Sequence, residues 1–148
     1  MEKEILTHYS YIFKGDREYK PFMSLNLLEN EFKIKDINIT TFKHNHGSID
    51  AQTYRIGNFA YSTDFKKFYN NDIDKLKDLD LWIVGLLRFD THPSHAGFED
   101  LIEYIDYLKP KSVLFTHMTA LIDEQEILKK IPSHINAKPG WDGLEIEF

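Results

Sequence analysis

Seven consecutive apolar residues, Leu81 to Leu87 (LWIVGLL), stand between Asp80 and Arg88 and form the longest strongly apolar run in the chain. A bilayer needs roughly 20 such residues, so the run is far too short to span one. It also lacks the alternation of a strand wet on one face. The pattern predicts a central strand covered on both faces, as in α/β proteins. The text downstream agrees. Phe98, Leu101, Ile102, Ile105 and Leu108 recur at helical spacing, with Glu99 and Asp100 early and Lys109 just before Pro110. Ser94 is a candidate N-cap. Ser112–Phe115 (SVLF) predicts a second buried strand, and a helix follows from about Asp123 to Ile131, stopped by Pro132. Closing strands are predicted at 135–137 and 144–148, around Pro139-Gly140-Trp141-Asp142-Gly143.

Upstream the text is mostly β-like. Residues 52–56 and 59–61 flank Gly57-Asn58, a hairpin signal, and the second strand runs into Ser62-Thr63-Asp64. Phe32 to Phe42 approximates period two, with a turn near Asp36-Ile37-Asn38, and Lys43 to Ser48 reads as a polar turn. His8 to Lys14 (HYSYIFK) is aromatic enough to predict a strand, with Gly15-Asp16 as its turn. Residues 65–79 read as short surface helices or a loop. No linker or repeat interrupts the chain, so residues 1–148 are read as one domain.

Composition narrows the chemistry. A formal charge of -6 gives no support to broad nucleic-acid binding. Without cysteine there is no disulfide framework, thiolate nucleophile or iron–sulfur cluster, so a transition-metal site must use His, Asp or Glu. The opening MEKEILTHYSY lacks the apolar core of a signal peptide, and a soluble cytoplasmic chain is expected.

His46, Asp64, His95 and His117 share one property: each follows a predicted strand or lies in the loop after one. Strand ends are where α/β folds assemble their sites. Imidazoles with a carboxylate suit Zn²⁺, Mn²⁺ or Fe. A further histidine could protonate a leaving group or bind a phosphate oxygen. Taken singly, each such histidine is more often a surface or hydrogen-bonded residue, and an aspartate after a strand is more often an Asx-turn. His44-x-His46 with Asp50 offers a second, looser cluster, although His44 is expected to point away from His46 if the strand continues. His8 and His134 have no company in sequence.

From about Phe32 onward the chain resembles the C-terminal half of a metallo-β-lactamase-fold hydrolase, in the branch of the carbon–phosphorus-pathway cyclic phosphodiesterase and the tRNA 3′-processing nucleases. The resemblance rests on His46-Gly47 after a strand, YRIGNFAYSTD ending at Asp64, LWIVGLLR ending at Arg88, HPSH at 92–95, LKPKSVLFTHM with His117, and the terminal WDGLEIEF. It implies half of an αββα sandwich. It also implies His46 as a ligand of a first metal, Asp64 as a bridge to a second, and His117 as a ligand of that second ion. His95 would face the substrate phosphate, and Asp142-Gly143 would be structural. The activity implied is hydrolysis of a small phosphodiester by a hydroxide held between two Zn²⁺ or Mn²⁺ ions.

The family's His-x-His-x-Asp-His cluster is absent from the sequence, Ala120 stands where relatives often carry a histidine, and Trp141 replaces their usual tyrosine. The missing cluster implies a partial domain whose other half comes from a separately encoded N-terminal chain, or whose bare sheet face is covered by self-association. Two alternatives accompany the hydrolase reading. One is a non-catalytic remnant or subunit. The other is a small independent metal-binding protein using His44, His46 and Asp64. Thioester or lactam hydrolysis on the same scaffold also stays open.

Overall fold

In the computed structural model, which describes residues 2–15, 17–70 and 72–147, eight strands join one mixed sheet. β1 (Glu31–Ile34), β2 (Ile37–His46), β3 (Ile49–Ile56) and β4 (Phe59–Ser62) form an antiparallel meander, and the short β5 (Lys67–Phe68) pairs with β2. β6 (Leu81–Gly85), β7 (Ser112–Thr116) and β8 (Ala137–Pro139) then add in parallel beyond β4. β2 and β4 are both antiparallel to β3, so they run the same way. The C-terminal ends of β2, β4, β6 and β7 therefore lie along one edge of the sheet.

The helices explain the buried run. α3 (Phe98–Leu108) turns Phe98, Leu101, Ile102, Ile105 and Leu108 inward, and α4 (Glu124–Lys130) contributes Ile127. These side chains join Trp82 and Val84 of β6, Val113 and Phe115 of β7, Ala60 of β4, and Phe65, Phe68, Leu76 and Leu79 in a single core cluster. Trp82, Phe65 and Phe115 are fully buried within this chain. Asp123 caps α4, its carboxylate accepting from the amides of Gln125 and Glu126, and Lys129 and Lys130 sit in the last turn. Among the described residues no helix is long and apolar enough to cross a membrane.

Several sequence expectations are corrected. His8–Lys14 is not a strand: α1 (Glu2–His8) and α2 (Ser10–Lys14) occupy the region. No neighbouring strand offers it a ladder, so the backbone satisfies itself through local bonds such as Tyr9 N to Ile5 O. Lys43–His46 is strand rather than turn, because β2 stays paired with β3 through His46↔Ile49. The cap of α3 is Gly97, not Ser94, and the Asp100 carboxylate accepts from the Gly97 amide at 2.9 Å. Residues 144–147 form no strand. Asp16 of the expected first turn, and Phe148 of the expected last strand, lie outside the described residues.

Candidate metal centre

Four side chains meet at that sheet edge. His46 is the last residue of β2, Asp64 lies two residues beyond β4, His95 sits in the loop between β6 and α3, and His117 follows β7. Asp64 Oδ1 is the hub. It lies 3.7 Å from His46 Nε2, 3.4 Å from His95 Nε2 and 3.2 Å from His117 Nε2. The rings of His46 and His95 meet edge-on with centroids 4.7 Å apart, and those of His95 and His117 stack at 5.5 Å. The side chain of His117 is 38% exposed and that of His95 only 11%, so His117 stands at the rim and His95 at the floor.

Backbone shape brings the strand ends together. Asp64 and His117 both adopt left-handed conformations, with φ of 52° and 61°. For L-residues that region costs roughly 1–2 kcal/mol, so the surroundings must hold it. Gly47 turns the chain after His46 with φ of 72°, and a Cβ there would stand 3.0 Å from Ser94 Cβ. The turn and the Ser94 loop thus pack against each other only because residue 47 is glycine. The loop is tied down from below: Phe65 O accepts from Ala96 N at 2.8 Å, and Lys66 Nζ donates to Thr91 Oγ1 and to His95 O.

Ser94 sets the chemistry of the ring. His46 Nδ1 lies 2.9 Å from the Ser94 carbonyl oxygen, which can only accept, so Nδ1 carries a proton and, in the neutral ring, Nε2 is the lone pair. Ser94 Oγ lies 3.0 Å from both His92 Nδ1 and His95 Nδ1, and the Ser94 amide points at His92 Nδ1. His92 Nδ1 is therefore an acceptor. Two arrangements satisfy these contacts: Ser94 O–H donates to His95 Nδ1 while the amide alone serves His92, or His95 Nδ1–H donates to Ser94 Oγ and Ser94 O–H to His92 Nδ1, the one that a ligating His95 requires. The latter leaves His95 Nε2 as a second lone pair. That atom is buried and has no hydrogen-bond partner. Burial, reinforced by His46 and His117 and opposed by Asp64, holds the His95 imidazole below its ordinary pKa, which keeps it neutral.

In that arrangement the lone pairs of His46 and His95 and a carboxylate oxygen of Asp64 face one another. Alone they repel; a cation among them removes the conflict. His46, Asp64 and His95 each offer a ligand atom within 4.8 Å of the others, so the donor set fits one transition-metal ion, with His117 beside Asp64 as a further donor. The arrangement is one that could hold a metal ion.

All four residues singled out in the sequence come together. The resemblance implies that His95 faces the substrate phosphate; in the structure its Nε2 lies 3.4 Å from Asp64 Oδ1, in the same cluster as His46. Sequence reasoning overlooked Ser94, although the HPSH spacing flanks that serine with both histidines it bonds. His44 does not point away from His46; positions i and i+2 of a strand share a face. It is fully buried, with both ring nitrogens engaged by Thr53, Thr63 and Asp64, and it offers no free lone pair to a metal. Asp50 is turned to Tyr69 and Lys43 instead. The cluster of His44, His46 and Asp64 as an independent metal site is therefore set aside. His134 pairs with Asp106 at the surface, and His8 ends α1.

The family described as "Beta-lactamase superfamily domain" matches residues 3–118. Among solved structures, a "New Diphosphatase from the PhnP Family" superposes with a TM-score of 0.85 at 24% identity, over 99% of this chain and 54% of its own. The short form of human tRNase Z superposes with a TM-score of 0.58 at 12% identity, over 80% of this chain and 47% of its own. A protein of Porphyromonas gingivalis named octanoyltransferase is 35% identical over 118 residues, 77% of this chain but 23% of that protein. The chain thus spans under a quarter of that relative and about half of the similar diphosphatase.

These matches correct three expectations. The resemblance is not confined to a C-terminal half of an αββα sandwich beginning near Phe32, since the domain match starts at residue 3 and takes in the segment before Phe32. "Truncated domain" is withdrawn with it. The expected partners, a separately encoded N-terminal half or self-association, are likewise not supported, because the metallo-β-lactamase-type domain covers nearly the whole chain. The physical reason is visible in the core, which buries Trp82, Phe65 and Phe115 completely against this chain's own helices and loops.

Proposed function

The chain belongs to the beta-lactamase superfamily, and from that premise we propose that it is a metal-dependent hydrolase of phosphodiesters. The observation that carries the reading is the buried, unpartnered Nε2 of His95, facing Asp64 beside the lone pair of His46. Asp64 Oδ1 and the Nε2 atoms of His46, His95 and His117 form the proposed donor set. A divalent transition-metal ion there supplies Lewis acidity toward a phosphoryl oxygen.

The chain's own residues do the rest. Ser94 fixes the tautomers of His46 and His95 from one point, through its carbonyl and its hydroxyl. Asp64 balances cationic charge at the floor. His117, the most exposed of the three histidines, holds the mouth of the site and is the first of them that a substrate meets. Preference for phosphorus is supported by the fold likeness to a diphosphatase and to a tRNase. Octanoyl transfer is not carried over, since the chain matches so little of the protein that bears that name.

The test is release of p-nitrophenolate from bis(p-nitrophenyl) phosphate by purified protein supplied with Zn²⁺ or Mn²⁺. Turnover that needs the metal, stops with chelator and vanishes in Asp64→Asn is expected. Metal-loaded protein that leaves the phosphodiester intact but opens a chromogenic β-lactam or thioester would overturn the substrate class.

A further inference from the structure

His44 is a fully buried imidazole that the proposed reaction does not use. Its Nε2 lies 3.0 Å from the carbonyl oxygen of Thr63 and 3.1 Å from that of Asp64. Carbonyl oxygens only accept, so this nitrogen carries a proton. Its Nδ1 lies 2.8 Å from Thr53 Oγ1, which lies 3.0 Å from Ser62 Oγ, which lies 3.1 Å from Trp82 Nε1. The two hydroxyls could bond in either direction, but the ends of the chain decide. The Trp82 indole can only donate and the Thr63 and Asp64 carbonyls can only accept. With a neutral ring between them, every proton points one way: Trp82 to Ser62, Ser62 to Thr53, Thr53 to His44 Nδ1, and His44 Nε2–H to the main chain at Asp64.

The end of this relay falls on the residue whose backbone is strained. Asp64, with φ of 52°, owes the direction of its carboxylate to a left-handed turn. Edge contacts from the rings of Phe65 and Phe68, at 5.5 and 6.0 Å, fix the His44 plane. We infer that His44 is a positioning residue for the metal site: its Nε2–H clamps the Thr63 and Asp64 carbonyls and so aims the Asp64 carboxylate at the three histidines. This rests on the reading of Asp64 as a metal ligand.

Three variants test it: His44→Leu, which keeps an apolar filler without a donor; His44→Gln, whose Nε2 can reach the same carbonyls; and Thr53→Val, which removes the hydroxyl that pins Nδ1. In metal-free wild type, ¹⁵N NMR should report the Nε2–H tautomer of His44, and the amides of Thr63 to Phe65 should exchange slowly. Folded His44→Leu should exchange faster there and bind Zn²⁺ about 10–100-fold more weakly, the usual effect of losing a partner that orients a ligand. The visible spectrum of its Co²⁺ form should shift, and His44→Gln should restore most of both, which loss of packing alone does not predict. If His44→Leu does not fold, Thr53→Val carries the test: the carbonyls keep the proton on Nε2, but the ring loses its pin at Nδ1, so faster exchange at Thr63 to Phe65 and a smaller loss of affinity are expected. A neutral Nδ1–H tautomer, which has no proton on Nε2 to give the carbonyls, overturns the inference. So does a folded His44→Leu with wild-type exchange and affinity, or a Thr53→Val protein with unchanged exchange and affinity. Should wild type bind no metal, the metal reading fails by itself, and tautomer and exchange still decide whether His44 holds Asp64.

Discussion

Replacing Ser94 with alanine separates the two ways in which that residue holds the site. The His46 contact goes to the Ser94 main-chain carbonyl and survives the change. The His95 contact, 3.0 Å from Ser94 Oγ, is lost. A net hydrogen bond contributes about 0.5–1.5 kcal/mol. An imidazole with no partner at Nδ1 also divides between tautomers, one of which turns a proton rather than a lone pair toward Asp64. Together these cost about 1–2 kcal/mol of binding, a factor of about 5–30 in Kd. Zn²⁺ titrated against a competing chromophoric chelator reads this directly, with circular dichroism as the check on folding. An unchanged Kd would refute the claim that Ser94 sets His95. Complete loss of binding would show that the carbonyl contact to His46 had gone as well.

Other outcomes follow from the same geometry. His95→Ala should weaken Zn²⁺ binding more than His117→Ala, because His95 is the less exposed and its ligand atom lies within 4.8 Å of those of both His46 and Asp64; unchanged affinity with lost turnover would return His95 to a purely substrate-facing role. Gly97→Ala should destabilise the fold by about 1–3 kcal/mol, read as a lower urea midpoint. Its Cβ would meet backbone atoms of Thr91, Phe89 and Asp90 at 2.6, 2.7 and 2.9 Å, none of which can swing aside, and an unchanged midpoint would contradict that packing. A depressed His44 pKa means that the unfolded chain takes up a proton at higher pH than the folded one. The associated stability is present above the ordinary imidazole value of about 6.5 and is lost as pH falls below it toward the folded pKa. Metal-free wild type should therefore lose more stability than His44→Gln between pH 7.5 and 5.5, and parallel urea midpoints would contradict it.

Much of the scaffold was legible because local patterns and tertiary demands coincide. LWIVGLL becomes β6, Gly57-Asn58 turns β3 into β4, and the apolar stripe from Phe98 to Leu108 becomes α3. The convergence of His46, Asp64, His95 and His117 was legible too, as polar residues at strand ends. What escaped depended on partners distant in sequence. HYSYIFK has the residues of a strand but no strand beside it, so it coils into helix. Lys43 to His46 reads as a turn until β3 pairs with it across the Gly47 corner. Ser94 carries an N-cap's side chain, but the loop descends to Gly97, where only glycine tolerates the approach of the 89–91 backbone. His44 looked like a loose ligand. Only Thr53, Ser62 and Trp82, contributed by three other strands, reveal it as the middle of a buried relay.

Metal content per chain is the most direct measurement: plasma mass spectrometry on monodisperse protein, reconstituted with Zn²⁺ or Mn²⁺ and then desalted, beside Asp64→Asn treated in the same way. Convergence of three imidazole nitrogens on one carboxylate predicts about one ion or more per wild-type chain, and little in the variant, whose amide contributes no charge. Wild-type protein that retains no metal, or a variant that retains as much as wild type, would contradict it.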